Sequence, residues 1–141
     1  MLTVIEKVVV LQTIDLFAEV PSEQLALLAA IAEEVRYASG EIVYEEADPP
    51  DALYLVLTGK VRLHRGEEEI ATAGSKETFG VWALFDDEPR VATATVVDAA
   101  EMLRIDKDDF IDLLADHVQI AEGVLKTVTG RLRRLIERIS T

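Results

Sequence analysis

The sequence predicts a mainly β domain flanked by α-helices, and three observations carry that prediction. Between Val35 and Ile105, short runs rich in valine, leucine, isoleucine and tyrosine alternate with turn signals. The turns fall at Ser39-Gly40, Asp48-Pro49-Pro50-Asp51, Gly59, Arg65-Gly66 and Gly74-Ser75. Evenly spaced short strands of this kind predict a sandwich or barrel, and no βαβ rhythm interrupts them. On either side, apolar residues recur at helical spacing instead. Finally, 141 residues, half of them hydrophobic, supply one core and fit one domain, 1–141.

Each element follows from local signals. Thr3 and Glu6 form a capping box before Ile5, Val8 and Val9, so a short helix opens the chain. A second helix starts at Pro21-Ser22-Glu23 and carries the apolar stripe Leu25, Leu28, Ala29 and Ala32, completing a helical lead-in over 1–35. The β region, 36–105, holds strand candidates at Glu41–Tyr44, Leu53–Leu57, Val61–His64, Glu69–Ala73, Ala92–Val97 and Met102–Ile105. Helices return over 106–139. Asp106 is placed to cap a run from Asp108 to Ala115, with Phe110, Leu113 and Leu114 facing inward. Asp116 caps the last helix, where Ala121, Leu125, Val128, Leu132, Leu135 and Ile139 keep the period of a coiled-coil seam.

Composition excludes several functions. No apolar run approaches the ~20 residues that span a bilayer. The N-terminal stretch carries Glu6, Lys7 and Asp15 without a basic leader or cleavage site, so a cytoplasmic protein is expected, with no membrane insertion. There is no cysteine, hence no disulfide, thiolate metal site or cysteine nucleophile. A net charge of −13 disfavours direct binding to nucleic acid. The charge is uneven. Lys126, Arg131, Arg133, Arg134 and Arg138 face only Glu122 and Glu137 after Val118, leaving about −16 on the rest. That basic excess either complements a helix C-terminus or meets an acidic partner.

Enzyme chemistry finds no foothold, so no activity and no cofactor are expected. His64 and His117 stand singly, and a barrel metal site needs several converging histidines. No nucleophile motif or GxxxxGK[ST] loop occurs. The pairs Glu33-Glu34, Glu45-Glu46 and Asp86-Asp87 read as solvated surface.

Five motifs in register, however, resemble those of cyclic nucleotide-binding domains. They are Gly40-Glu41-Ile42-Val43, Glu46-Ala47-Asp48, Leu53 to Gly59, Phe79-Gly80 and Pro89-Arg90-Val91-Ala92-Thr93. The chain is similar, from about Leu16 to Ile139, to the effector domains of the catabolite-activator class and of protein kinase A regulatory subunits. The resemblance implies an eight-stranded double-sheet jelly-roll barrel with N-terminal helices and two C-terminal helices. It also implies a phosphate-binding cassette over 79–93.

In that family the cassette holds a cyclic phosphate on free backbone N–H groups after a glycine and on one arginine. Mapped here, Gly80 is the close-approach glycine, Val81, Trp82, Ala83 and Leu84 form the short helix, and Arg90 is the phosphate arginine, followed by Val91 and Ala92. The family's glutamate, which accepts from the ribose 2′-hydroxyl, is replaced by Val81. The lost bond is worth roughly 1.5–3 kcal/mol, about ten- to a hundredfold in affinity. Val91 stands where a small or hydroxylated residue is usual, and Ala47 and Lys76 stand where glycine is frequent. The cassette is therefore degenerate, and Arg90 is neutralised either by a ligand phosphate or by Asp86, Asp87 or Glu88.

The last helix in this family packs on the barrel, often dimerises, and can place a lid over the base. By position, Arg131 and Leu135 are the lid candidates, and residues 118–139 are the expected homodimer contact. The expected function is a non-enzymatic regulatory module whose cyclic nucleotide binding is weakened or lost. The alternatives are an interaction or dimerisation domain with its pocket closed by Val81 or Trp82, and an effector domain of a larger regulator or transporter. The catabolite-activator class continues into a helix-turn-helix, of which no sign follows Ile139.

Overall fold

The computed structural model describes residues 1–140; Thr141, the last residue of the single-domain expectation, lies outside them. The described chain forms two compact units, one made of residues 31–111 and one made of 2–30 and 112–140.

The first unit is the sheet. Its strands are β1 (Ala32–Tyr37), β2 (Ile42–Tyr44), β3 (Ala52–Arg65), β4 (Glu68–Ala73), β5 (Thr78–Phe79) and β6 (Thr93–Asp106). They pair antiparallel in the order β1-β6-β3-β4, with β2 added on β6 and β5 on β3. The two 14-residue strands, β3 and β6, run alongside each other and carry the others. The first half of β6 pairs with β2 and the second half with β1, while β3 pairs first with β5 and then with β4. The two layers are thus the two ends of the same long strands.

This corrects the strand count. The fold is mainly β with flanking helices and jelly-roll-like, but six strands take the place of the expected eight, and the sheet does not close. The predicted pairs Leu53–Leu57 with Val61–His64, and Ala92–Val97 with Met102–Ile105, each merge into one strand. Gly59 had been read as a break. Instead it bends β3 while pairing continues, with register shifts between Val56 and Val61. A Cβ here would lie 2.5 Å from Ala99 O and 2.6 Å from Ala100 Cα, and its φ is +99°. Only glycine lets the two backbones approach so closely. The helical lead-in also ends earlier than 35, because Ala32 opens β1 and pairs with Ile105.

Alternation along the strands builds the core. Tyr54, Val56 and Val61 from β3 meet Ala94, Val96, Ala100 and Met102 from β6, with Phe79 and Ala73 beside them. Ala52 to Val56 is buried without alternation, so this part of β3 is covered on both faces.

The second unit is helical. In α1 (Val4–Leu11) the capping box is in place: Thr3 Oγ1 accepts from Glu6 N–H at 3.1 Å, and Glu6 Oε1 accepts from Thr3 N–H at 3.0 Å. A 3-10 turn at Asp15–Phe17 leads to α2 (Ser22–Ile31). Leu11, Leu16, Phe17, Leu25, Leu28, Ile120 and Val124 are among its buried residues. The helix α3 (Lys107–Asp116) starts within the first unit and ends within the second; it is capped as expected, Asp106 Oδ1 accepting from Asp109 N–H at 3.1 Å. It is followed by α4 (Val118–Ser140). Among the described residues no helix is long and apolar enough to cross a membrane.

Two non-glycine residues sit in the left-handed region: Ala47 at φ 74° and Lys76 at φ 68°. Each carries about 1–2 kcal/mol of steric cost that glycine would not. We expect Lys76→Gly to raise stability in urea unfolding by about 0.5–1 kcal/mol. Gly59→Ala should lower it by about 3 kcal/mol or more, since the added methyl meets backbone.

Candidate functional site

The cleft of interest lies wholly in the sheet unit. It encloses about 550 Å³, within the size range of small-molecule sites. Its walls come from the turn after β5, the loop before β6, and the hairpin of β3 and β4. Gly80, with φ 77°, turns the chain out of β5 into a 3-10 turn over Val81–Leu84. Ala83 N–H bonds to Gly80 O at 3.1 Å, so the N–H groups of Val81 and Trp82 are the first-turn donors without intrahelical acceptors.

Arg90 is the centre of the site, only 7% exposed. Its Nη2 donates to Ala52 O at 2.7 Å and to Asp51 Oδ1 at 3.0 Å, and its Nη1 makes a long contact of 3.4 Å with Gly80 O. The guanidinium lies over the ring of Tyr44, 3.9 Å from its centroid, and its Nε is buried without an acceptor. Tyr44 in turn contacts Tyr54 and Phe79, whose rings stack with centroids 5.1 Å apart. The backbone is pinned as well, Arg90 N–H to Asp48 O and Ala47 N–H to Arg90 O, both at 2.8 Å. Gly80 completes the cradle, since a Cβ there would sit 2.7 Å from Arg90 Nη1.

The carboxylate beside Arg90 is therefore Asp51, not one of the three in its own loop. Asp87 Oδ1 takes Lys107 Nζ at 2.7 Å, and that ammonium holds the exposed Asp87 carboxyl below its usual range. Lys107 Nζ also donates to Asp86 O, and Asp86 Oδ1 accepts from Glu88 N–H. The acidic run is used to fix its own loop onto the start of α3. Asp51 is shared: its other oxygen lies 3.4 Å from Arg104 Nη2, and Arg104 Nη1 reaches Asp106 at 3.6 Å.

The sequence-derived residues divide as follows. Gly80, Val81, Trp82, Ala83, Arg90, Val91 and Ala92 all line the cleft. Leu84 is buried in the core. The Trp82 indole is 75% exposed at the rim, so it does not fill the cleft, and Val81 faces it as a wall. Thr93 Oγ1 accepts from Glu46 N–H at 3.0 Å, a structural role. Arg131 pairs with Asp15 at 3.6 Å and Leu135 is exposed, both in the helical unit. His64 is held by Gly66 O, to which Nδ1 donates, and by Thr95 Oγ1. Sequence reasoning passed over Asp51, Tyr44 and Arg65. Asp51 was read as part of a turn, and only its place immediately before the strand that carries Ala52 O marked it.

With that geometry in view, the comparisons are direct. Residues 34–117 match the profile of the family described as "Cyclic nucleotide-binding domain". The chain belongs to that family. It is 31% identical over 130 residues to the "CRP-like cAMP-activated global transcriptional regulator" of Mycobacterium tuberculosis, covering 89% of this chain and 58% of that protein. The "cAMP-dependent protein kinase regulatory subunit" of Dictyostelium discoideum is 28% identical, over 92% of this chain and 40% of the relative. Among solved structures, the N-terminal domain of a transcriptional regulator from Streptomyces coelicolor superposes with a TM-score of 0.84 at 36% identity. That match covers 92% of this chain and 94% of the other. The chain spans under three-fifths of the length of these two curated relatives.

Burial raises the pKa of the Tyr44 phenol above 10.0, opposed by the Arg90 charge beside it. A raised folded-state value means that its contribution is fully present below about pH 10 and is lost as pH climbs through the folded value. Urea unfolding between pH 9 and 11.5 should show falling stability above pH 10. Tyr44→Phe, which keeps the ring under Arg90, should flatten that fall.

Proposed function

We propose that the chain is a non-enzymatic regulatory module that senses a small anion in the Arg90 cleft and binds cyclic nucleotides weakly or not at all. One observation supports this above the others. A buried arginine lines a cleft whose wall also includes Val81, at the position where the family has its ribose-binding glutamate. Arg90 and the first-turn N–H groups of Val81 and Trp82 would hold the anionic group. Val81 offers a ribose hydroxyl no acceptor, and leaving that hydroxyl unpaired adds to the cost. The named relatives are regulators, which favours regulation over catalysis for this chain too, acting alone or as the effector part of a larger protein.

Occupancy would act by biasing two packings of the C-terminal helices, with Arg131 and Leu135 as the lid residues. The second reading is a dimerisation domain. It is favoured by the apolar seam of α4, where Leu125, Val128, Leu132, Leu135 and Ile139 are all exposed at coiled-coil spacing. The two readings are compatible, since a homodimer joined through 118–139 would couple two clefts.

Calorimetry with cyclic AMP and cyclic GMP tests the first. Wild type should bind weakly or not at all, and Val81→Glu should gain about ten- to a hundredfold. Micromolar wild-type affinity that Arg90→Ala abolishes would overturn the degenerate cassette. Light scattering tests the second. A dimer is expected that Leu132→Glu dissociates, and a monomer at high concentration would rule it out.

A further inference from the structure

The chemistry of the cleft narrows the ligand class beyond an anion. Its polar side chains are Tyr44, Arg65, Asp86, Glu88 and Arg90; no serine, threonine, asparagine, glutamine or histidine lines it. Most of these groups are already committed. Tyr44 lies flat beneath Arg90, Arg65 Nε donates to Val91 O at 2.8 Å, and Asp86 Oδ1 takes Glu88 N–H. The remaining wall is apolar, with Leu63, Ile70, Val81, Ala83, Val91 and Ala92 among its residues and the exposed Trp82 indole at the rim.

Such a surface rewards one kind of molecule. The positive charge of Arg90, which lines the cleft, calls for an anionic oxygen. A hydroxyl carried in beside that anion must leave water, and the polar side chains it can meet are the Tyr44 phenol and the charged Arg65, Asp86 and Glu88, with no amide or aliphatic hydroxyl among them. Apolar or aromatic groups there gain instead, covering Ile70, Val91 and Trp82, which now face water. We propose that the cleft takes an amphipathic anion, an aryl or alkyl phosphate or carboxylate with few hydroxyls, and discriminates against sugar phosphates. This rests on the reading of Arg90 as an anion site.

Trp82 is the chain's only tryptophan, so its emission reports occupancy without a label. Titrations of phenyl phosphate, ribose 5-phosphate, phenol and inorganic phosphate, by emission and calorimetry, test the proposal. Phenyl phosphate should bind at least about tenfold tighter than ribose 5-phosphate and than phenol. Likewise 2′-deoxy cyclic AMP should bind no more weakly than cyclic AMP. Arg90→Gln should remove the phosphate-dependent part. Should that variant fail to fold, Val81→Glu at a half-buried position should cut the phenyl phosphate preference at least fivefold. Equal or tighter binding of ribose 5-phosphate would overturn the ligand class while leaving the anion site standing. Phenol binding as tightly as phenyl phosphate, or silence toward every anion, would overturn both.

Discussion

A guanidinium taken out of water needs acceptors, and Arg90 gathers its surroundings around its two terminal nitrogens for that reason. Ala52 O and Asp51 hold one nitrogen, Tyr44 supports the plane, and Gly80 leaves space where a side chain would collide. Each of these comes from a different segment: the β2 strand, the start of β3, the turn after β5. The Arg90 backbone adds the loop through Ala47 and Asp48. One side chain thus collects four stretches of sequence, and the cleft is the space left beside it. Replacing Arg90 by a neutral residue would leave Asp51 with Arg104 alone and remove the cation from the face of the Tyr44 ring.

The scaffold that makes this arrangement stable is the pair of 14-residue strands. Because β3 and β6 stay hydrogen-bonded through the bend at Gly59, both layers belong to one ladder. Arg90 sits three residues before β6 and Asp51 one residue before β3, so both ends of the ion pair are anchored at strand starts. The acidic loop between the turn and Arg90 is tied down separately by Lys107, which explains how three adjacent carboxylates coexist beside an arginine without pairing to it.

Much of this was legible in the residues. The capping box at Thr3 and Glu6 and the cap at Asp106 followed from local patterns, because each depends on neighbours in sequence, whereas the jelly-roll class came from the family resemblance. The strand count did not follow. Gly59 carries the same letter whether it ends a strand or bends one, and only the facing backbone of Ala99 and Ala100 decides. Arg90's partner was missed for the same kind of reason. Proximity in sequence favoured Asp86, Asp87 and Glu88, whereas the carboxylate that Arg90 meets, Asp51, lies 39 residues away in sequence, just before a different strand. The cassette residues themselves were found as a contiguous block, yet the wall opposite them, Leu63, Arg65 and Ile70, came from a hairpin whose register was not readable.

Asp51 is 57% exposed and divides one negative charge between two cations. Whatever share Arg90 gives up, Arg104 can take, and Arg104 already reaches Asp106, whose other task is to cap α3. Asp51 thus joins Arg90, which lines the cleft, to Arg104 and through it to the residue that caps α3. Asp106 serves the ion-pair network with one carboxylate oxygen and the first turn of α3 with the other.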